Sequence, residues 1–286
     1  MSAFRELKIL ALVVVLVGIL YWGVEPLAHS IFYPKTAPAD FTFSDLEKLP
    51  TDGNVEKGKE LAGLYCIACH SIEKDGFPAM LSNADAAMAY GVVPPDLSNI
   101  GILYESNFLA NLIKDPVKAL KLSHKFDDNK PFPMTPTYVS DAEIGDIVAY
   151  FKSIANPNLT DKEVFTEACV RCHSMKYDKV VALTPDDTIE AYLGAKAPDL
   201  SMMIRSRGAD KLNKFINDPQ KILEGASMPR VGLTQESQDK IINYMEKIGD
   251  SKKGEREFVG KILIGFMIIM AILAYLWKRK IWHDLH

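Results

Sequence analysis

The sequence has few of the residues that would cross-link a fold or bind a polyanion. It holds 4 cysteines in 286 residues, which is too few for a disulfide scaffold. It has no basic excess, since 33 basic residues are outnumbered by 37 acidic ones, and a nucleic-acid-binding protein would usually carry such an excess. No convincing run of alternating strand character is present, so we expect neither a nucleic-acid partner nor a β-rich fold.

Long apolar runs are present only at the two ends. The run from Ile9 to Val24 is uncharged and 16 residues long, which fits either a retained anchor or a cleaved signal peptide. We favour the anchor, because no clear small-residue cleavage site follows it. The run from Ile262 to Trp277 is followed directly by the three basic residues 278–280. Basic flanks outside both runs predict cytoplasmic termini and a middle segment on the periplasmic side of a bacterial inner membrane.

The middle of the chain repeats itself at an offset of 103 residues. Residues 66–116 align with residues 169–219 without a gap, and 15 of these 51 positions are identical. Beyond them the offset falls to 94. This repeat predicts two homologous domains. The predicted segments are an N-terminal anchor or uncleaved signal, a first domain, a second domain, and a C-terminal transmembrane anchor with a cytoplasmic tail: residues 1–29, 30–156, 157–257 and 258–286.

The four cysteines form two Cys-x-x-Cys-His motifs, the attachment sequence of c-type haem. They are Cys66, Cys69 and His70 in the first domain, and Cys169, Cys172 and His173 in the second. Two thiols one helical turn apart reach the two vinyl groups on one edge of a porphyrin, and the adjacent histidine lies beneath the iron. A zinc site made from both pairs and a thioredoxin-like redox pair are the alternatives. Each pair has its own repeat and histidine, and no βαβ pattern is visible, so we predict two covalently bound haem c groups.

The sixth ligand of each iron decides between an electron carrier and a catalyst. Met134 and Met228 are the only methionines downstream of the motifs that align between the repeats, and each lies in a loop before the last helix of its domain. We therefore predict axial pairs of His70 with Met134 and of His173 with Met228. His124 remains an alternative sixth ligand of the first haem.

Other residues are candidates for contacts around the haems. The carbonyls of Pro95 and Pro198 are suitable acceptors for the N–H of the proximal imidazoles. Arg205 and Arg207 are suitable partners for haem propionates. The first domain has Tyr104 at the position of Arg207, so we expect the two haems to have different surroundings. The predicted fold class is all-α: two tandem class I-like cytochrome c domains with an N-terminal hydrophobic helix and a C-terminal transmembrane helix.

The second domain resembles cytochrome c1 of the bc1 complex. The resemblance lies in Cys-Val-Arg-Cys-His-Ser-Met (169–175), Ala-Pro-Asp-Leu-Ser (197–201) and Ile-Arg-Ser-Arg-Gly (204–208), and residues 274–282 resemble its membrane anchor. The whole chain resembles the dihaem cytochrome c subunit that replaces cytochrome c1 in some bacterial quinol:cytochrome c reductases. The resemblance implies a dimeric complex with cytochrome b and a Rieske iron–sulfur protein, and a cytochrome c or terminal oxidase as acceptor.

Two other functions fit the same motifs. One is the dihaem subunit of a cbb3-type oxidase, although its anchor lies at the N-terminus. The other is a dihaem enzyme, such as a peroxidase or a thiosulfate-oxidising cytochrome, with one iron open or differently ligated. No catalytic constellation is visible in the sequence, so we predict an electron-transfer subunit.

The two predicted domains differ in charge. Residues 30–156 carry a formal charge of -6 and residues 157–257 carry a formal charge of -1. Because an acidic domain attracts a basic cytochrome, we expect electrons to leave from the first domain.

Overall fold

The computed structural model describes residues 3–32 and 38–285, in two units that are treated separately. Small parts of the predicted segments, residues 1–2, 33–37 and 286, lie outside the described residues. In the N-terminal unit the described residues 3–32 form one continuous helix. Its parts are α1 (Ala3–Ile19), a π-helical turn (Leu20–Val24) and α2 (Glu25–Phe32).

The N-terminal helix is long and apolar enough to cross a membrane. Within Phe4–Phe32 an 18-residue stretch has a mean hydropathy of 2.4, and none of that stretch is buried. A membrane anchor and a signal sequence share this pattern. The retained anchor therefore stays a prediction.

The second unit begins at Asp40 and is mostly helical. Its described residues contain no β-strand and only isolated bridges, in agreement with the predicted helical class. Before the C-terminal helix there are twelve helices: α3 (Val55–Tyr65), α4 (Asn83–Tyr90), α5 (Ile100–Leu103), α6 (Ser106–Lys114), α7 (Pro116–Ala119), α8 (Asp141–Ile154), α9 (Asp161–Cys169), α10 (Asp186–Leu193), α11 (Met203–Arg207), α12 (Ala209–Ile216), α13 (Pro219–Ile222) and α14 (Gln235–Gly249).

The same order of elements occurs twice. Helices α4 to α7 begin 103 residues before α10 to α13, and α8 begins 94 residues before α14. We call residues 40–156 the first half and residues 157–257 the second half. The last helix of each half begins at a side-chain cap: Ser140 and Glu143 form a capping box on α8, and Thr234 caps α14. Each cap satisfies backbone N–H groups that a helix start leaves without partners.

The two halves pack on a shared hydrophobic core. In the first half α3 packs on α8, and in the second half α9 packs on α14. Buried side chains from both halves belong to one contiguous cluster that includes Phe108, Phe151, Phe165 and Tyr244. Burial of each large apolar side chain contributes about 1.5–3 kcal/mol. The core therefore stabilises the halves together, and the boundary between two tandem domains stays a prediction from the repeat.

A short backbone bridge also joins the halves. Tyr104 pairs with Leu233 in an isolated antiparallel bridge, and the amide of Glu105 donates to the carbonyl of Gly232 at 2.9 Å. Gly232 has a φ of +81°, and a Cβ at this position would lie 2.0 Å from the ring of Phe108. A glycine is required here because the backbone is left-handed and the ring leaves no space for a side chain.

A buried arginine forms a further contact between the halves. Arg230 is only 1% exposed, and its guanidinium donates to both carboxylate oxygens of Asp45, at 3.1 and 2.7 Å. The same guanidinium lies 5.5 Å from the centre of the Phe43 ring, and Asp218 is 3.9 Å away. This bidentate pair joins the segment before α3 to the loop before α14.

The chain ends in a single long helix, α15 (Lys253–Leu285). Within Lys253–His283 an 18-residue stretch has a mean hydropathy of 2.3, and none of that stretch is buried. The helix is therefore long and apolar enough to cross a membrane, and its last turns hold the basic residues 278–280.

Candidate haem-binding sites

Each Cys-x-x-Cys-His motif forms a tight turn at the end of a helix. Helix α3 ends at Tyr65, and the amide of His70 donates to the carbonyl of Cys66 at 3.0 Å. In the second half the amide of His173 donates to the carbonyl of Cys169 at 2.9 Å. The turn folds the two cysteines and the histidine of each motif close together, which is the local geometry that attachment to one porphyrin edge requires.

Both proximal imidazoles are oriented by a prolyl carbonyl. The Nδ1 atom of His70 lies 2.9 Å from the carbonyl oxygen of Pro95, and that of His173 lies 2.8 Å from the carbonyl oxygen of Pro198. Because a carbonyl only accepts, Nδ1 carries the proton and Nε2 keeps its lone pair. Burial lowers the pKa of both histidines, although the hydrogen bonds to the two prolines oppose this effect. Both imidazoles are therefore held neutral, as an iron ligand must be.

The Pro-Asp-Leu-Ser loops are fixed by their aspartates. Asp96 accepts from the hydroxyl of Ser71 at 2.6 Å and from the amide of Glu73 at 3.0 Å. Asp199 accepts from the amide of Lys176 at 3.0 Å. These carboxylates tie the prolyl loop to the turn after the motif, so they hold the carbonyl acceptor against the imidazole.

A second network that the sequence did not reveal also recurs in both halves. Asp75 accepts from the hydroxyl of Tyr150 at 2.8 Å and pairs with Lys59. Asp178 accepts from a tyrosine hydroxyl of α14 at 2.6 Å and pairs with Lys162 at 2.7 Å. The sequence shows only that both repeats have an aspartate at this position. It does not show the tyrosine partners, because they lie on distant helices. The network anchors the turn after each motif to the last helix of its half.

The four cysteines differ in exposure, since Cys69 is exposed and the other three are half-buried. Burial raises the pKa of Cys66 to about 11 and that of Cys169 to about 12, so neither is a ready thiolate. Among the described residues no group of three or more His, Cys, Asp or Glu side chains converges as metal ligands would. The zinc alternative, which needs both cysteine pairs in one place, thus finds no support in this geometry.

The candidate axial methionines lie in the loops before the last helices. Met134 and Met228 are both half-buried. Gln220 fixes the second loop, since its side-chain amide donates to the carbonyl of Met228 at 2.9 Å. His124 is engaged elsewhere: its Nε2 lies 3.2 Å from the carbonyl of Ala226 in the second half. The contact weighs against His124 as the sixth ligand of the first haem, and the two methionine ligands stay predictions.

The arginines near the two sites differ in their exposure. Arg205 and Arg207 are exposed on α11, and their proposed contact with a propionate stays a prediction. Arg171, inside the second motif, was not singled out from the sequence. Its Nε atom is buried without a hydrogen-bond partner. No sequence pattern signals this position, because the variable residues of such a motif are ordinarily unconstrained.

The first half covers one side of the second motif. The segment from Pro116 to Met134 in the first half is nine residues longer than the corresponding segment from Pro219 to Met228 in the second half. Residues of this longer segment, among them Leu122 and Phe126, pack on α10, and Cys172 lies against the same cluster. The rings of Phe126 and Tyr192 are 5.2 Å apart. The extra segment therefore shields the second site from solvent.

Comparison with known proteins identifies the first of these sites. The family model for cytochrome c matches residues 55–155, which include the motif at Cys66–His70 and Met134. Residues 55–155 form a cytochrome c domain. Such a domain implies covalently bound haem c and electron transfer, and the neutral proximal histidine with its prolyl acceptor fits that cofactor.

Two individual proteins resemble parts of the chain. The ammonia monooxygenase gamma subunit of Nitrosomonas europaea is 27% identical over 135 residues, covering 34% of this chain and 58% of that protein. The chain thus spans only about three fifths of this curated relative. A chain of a hyperthermophilic respiratory Complex III is 25% identical, covering 44% of this chain and 75% of that chain, with a TM-score of 0.33.

Proposed function

We propose that this protein is a membrane-anchored dihaem c-type cytochrome that relays single electrons. The observation that carries the proposal is the duplicate geometry: both motifs end a helix and place a neutral imidazole on a prolyl carbonyl, at 2.9 and 2.8 Å. The match of the family model to the first half supports one haem. The repeated order of helices supports a second haem in the second half.

Each side chain has a distinct role in this proposal. Cys66 and Cys69 would hold one haem c through thioether bonds, and Cys169 and Cys172 would hold the other. The Nε2 atoms of His70 and His173 and the thioethers of Met134 and Met228 would serve as ligands of the two irons. A haem iron supplies a one-electron ferric/ferrous couple, and a closed His/Met site favours the ferrous state relative to bis-His ligation. The fixed turns keep the ligand sets unchanged during electron transfer.

We further propose that the chain serves in a bacterial quinol:cytochrome c reductase. Its support is the resemblance of the second half and the C-terminal anchor to cytochrome c1. Electrons would come from a Rieske iron–sulfur protein and pass to a cytochrome c or a terminal oxidase. Cytochrome b would be the membrane partner in a dimeric complex. Both haems would lie on the periplasmic side of the inner membrane, with both termini cytoplasmic.

The acidic first half is proposed as the point from which electrons leave. Residues 30–156 carry a formal charge of -6, against -1 for residues 157–257, and would therefore attract a basic acceptor. The association rate with that acceptor should then fall as salt rises, and acid-to-amide substitutions in the first half should lower it. Equal substitutions in the second half are the control. A rate that is insensitive to salt and to these substitutions would contradict the assignment.

Purification from membranes tests the proposed complex. Recovery of cytochrome b and a Rieske protein with the tagged full-length chain is the expected result. Recovery of a haem–copper oxidase would favour the cbb3-type alternative, and recovery of a monooxygenase would relate the chain to its Nitrosomonas relative. The absorption band of the ferric protein that is diagnostic of methionine ligation should be present for both haems. Its absence from one haem would favour an enzyme.

Counting haems per chain tests the cofactor assignment. The wild-type chain should carry two haems. The double variant Cys66→Ala/Cys69→Ala and its counterpart Cys169→Ala/Cys172→Ala should carry one each. A wild-type chain with a single haem, unaffected by one of the two double variants, would overturn the dihaem proposal.

A further inference from the structure

Arg171 has a buried polar atom that the protein itself does not satisfy. The side chain is half-buried, and its Nε atom is inaccessible to solvent and has no hydrogen-bond partner among the described residues. Nor does Arg171 form a salt bridge with any residue that the structure describes. A buried guanidinium without an anionic partner costs free energy. An anionic hydrogen-bond acceptor on a bound group would explain why the Nε atom of Arg171 is buried without a partner.

The Arg171 side chain reaches the first half, although its backbone belongs to the second motif. Its guanidinium interacts with the hydroxyl of Tyr104, which is buried. One turn earlier on α9, Glu167 accepts from the side-chain amide of Asn99 at 2.7 Å. This bond fixes the helix against the segment that follows the Pro-Asp-Leu-Ser loop of the first half. The backbone gives a second link: the amide of Thr184 donates to the carbonyl of Arg171 at 3.2 Å, and its hydroxyl accepts from the amide of Val93, two residues before Pro95, at 3.1 Å. Arg171 is therefore positioned beside the first site.

The first half lacks a guanidinium of its own. Residues 30–156 contain no arginine, so a forked pair of hydrogen bonds to a haem carboxylate cannot come from within that half. Tyr104, the residue that Arg171 contacts, occupies the repeat position of Arg207 in the second half. The repeat position of Arg171 itself holds Ala68. A guanidinium beside the first site must therefore come from outside residues 30–156, and Arg171 of the second motif can supply it.

We propose that Arg171 binds a propionate carboxylate of the haem held by Cys66, Cys69 and His70. The inference rests on the proposed function, because it requires that this haem be present. A guanidinium at this position places a positive charge beside the first iron and disfavours the ferric state. It also places a residue of the second motif against the cofactor of the first. The two haem sites therefore share a structural element.

Potentiometric titration of the purified holoprotein tests this role. In Arg171→Gln the ferrous-to-ferric ratio of the first haem, at a fixed applied potential, should fall about tenfold, which is about 59 mV for one electron. The second haem should shift less. Arg171→Lys keeps the charge but not the fork and should fall in between. The chain lacking the first haem, Cys66→Ala/Cys69→Ala, assigns the two titrations.

Two controls separate binding of the propionate from other effects. Tyr104→Phe removes the hydroxyl that interacts with Arg171 but keeps the charge of Arg171. It should therefore leave the reduction potential of the first haem nearly unchanged. Lys211→Gln removes an exposed cation of the second half and should do the same. If Tyr104→Phe reproduces the shift, if both haems shift equally, or if neither shifts, the inference is wrong. Haem content is measured in every variant: a wild-type chain with one haem refutes the proposed function, whereas two haems with unshifted potentials refute only the role of Arg171.

Discussion

Replacing Asp45 by asparagine should destabilise the protein more than removing the buried arginine that it contacts. Arg230 is 1% exposed, whereas the Asp45 side chain is 47% exposed. In Asp45→Asn the guanidinium stays buried and loses its bidentate partner, and its nearest remaining carboxylate, on Asp218, lies 3.9 Å away. In Arg230→Met the buried charge disappears, while the volume of the side chain stays nearly the same. Asp45 is then left without the guanidinium, but water reaches its carboxylate.

The magnitudes follow from how well water can replace each lost contact. Removing one partner of a fully buried ion pair costs about 3–5 kcal/mol, but the exposure of Asp45 and the nearby Asp218 reduce this figure. We expect Asp45→Asn to lower the free energy of unfolding by about 2 kcal/mol, which corresponds to about 4–8 °C in melting temperature. Arg230→Met should cost about 1 kcal/mol or less, because well-packed apolar replacements of buried ions are often neutral.

The dependence on pH gives an independent check. Burial raises the pKa of Asp45, but the hydrogen bond and charge of Arg230, with the charge of Lys121, outweigh burial, so the net pKa is lowered. A carboxylate with a lowered folded pKa stabilises the fold above its unfolded pKa of about 3.9. That stability is lost as the pH falls through the folded value. The difference between wild type and Asp45→Asn should therefore persist from pH 7 to about pH 5 and shrink below about pH 4.

Thermal unfolding of the full-length protein in detergent, followed by its helical circular dichroism, measures both effects. The two single variants and the double variant complete a cycle that isolates the coupling between the side chains. If Arg230→Met proves as costly as Asp45→Asn at pH 7, the buried cation is not the source of the effect. A difference that stays constant down to pH 3 would equally refute the reasoning.

Two further predictions concern the bridge between the halves and the iron ligands. Gly232→Ala should lower the free energy of unfolding by about 2–4 kcal/mol, because its Cβ would meet an aromatic ring at 2.0 Å in a left-handed backbone; Gly254→Ala, with open space around it, is the control in the same melting assay. Met134→His should lower the reduction potential of the first haem and leave the second nearly unchanged, and Met228→His should do the reverse, because imidazole favours ferrous iron less than a thioether does. Redox titration measures both, and a shift of the wrong haem would contradict the ligand assignment.

The parts of the molecule that were predictable are those specified by short stretches of chain. The start of α8 depends on Ser140 and Glu143, three residues apart, and the motif turns span five residues each. The duplicate order of helices follows from the offsets of 103 and 94 residues, since homologous stretches bury the same positions. The apolar ends are evident from composition, because a run of that length needs no tertiary context to be recognised.

Only the tertiary structure shows which arginine side chains are buried and contact the other half. Arg205 and Arg207 lie in a suggestive pattern, yet both are exposed, whereas Arg171 and Arg230 lie in unremarkable positions and reach into the other half. The sequence determined two attachment motifs, a repeat and two apolar ends. It did not determine how the repeats pack, because Arg230 and Asp45 are 185 residues apart and such a contact leaves no local periodicity. The burial of these side chains, and thus their electrostatic effect, arises only when distant segments fold on one core.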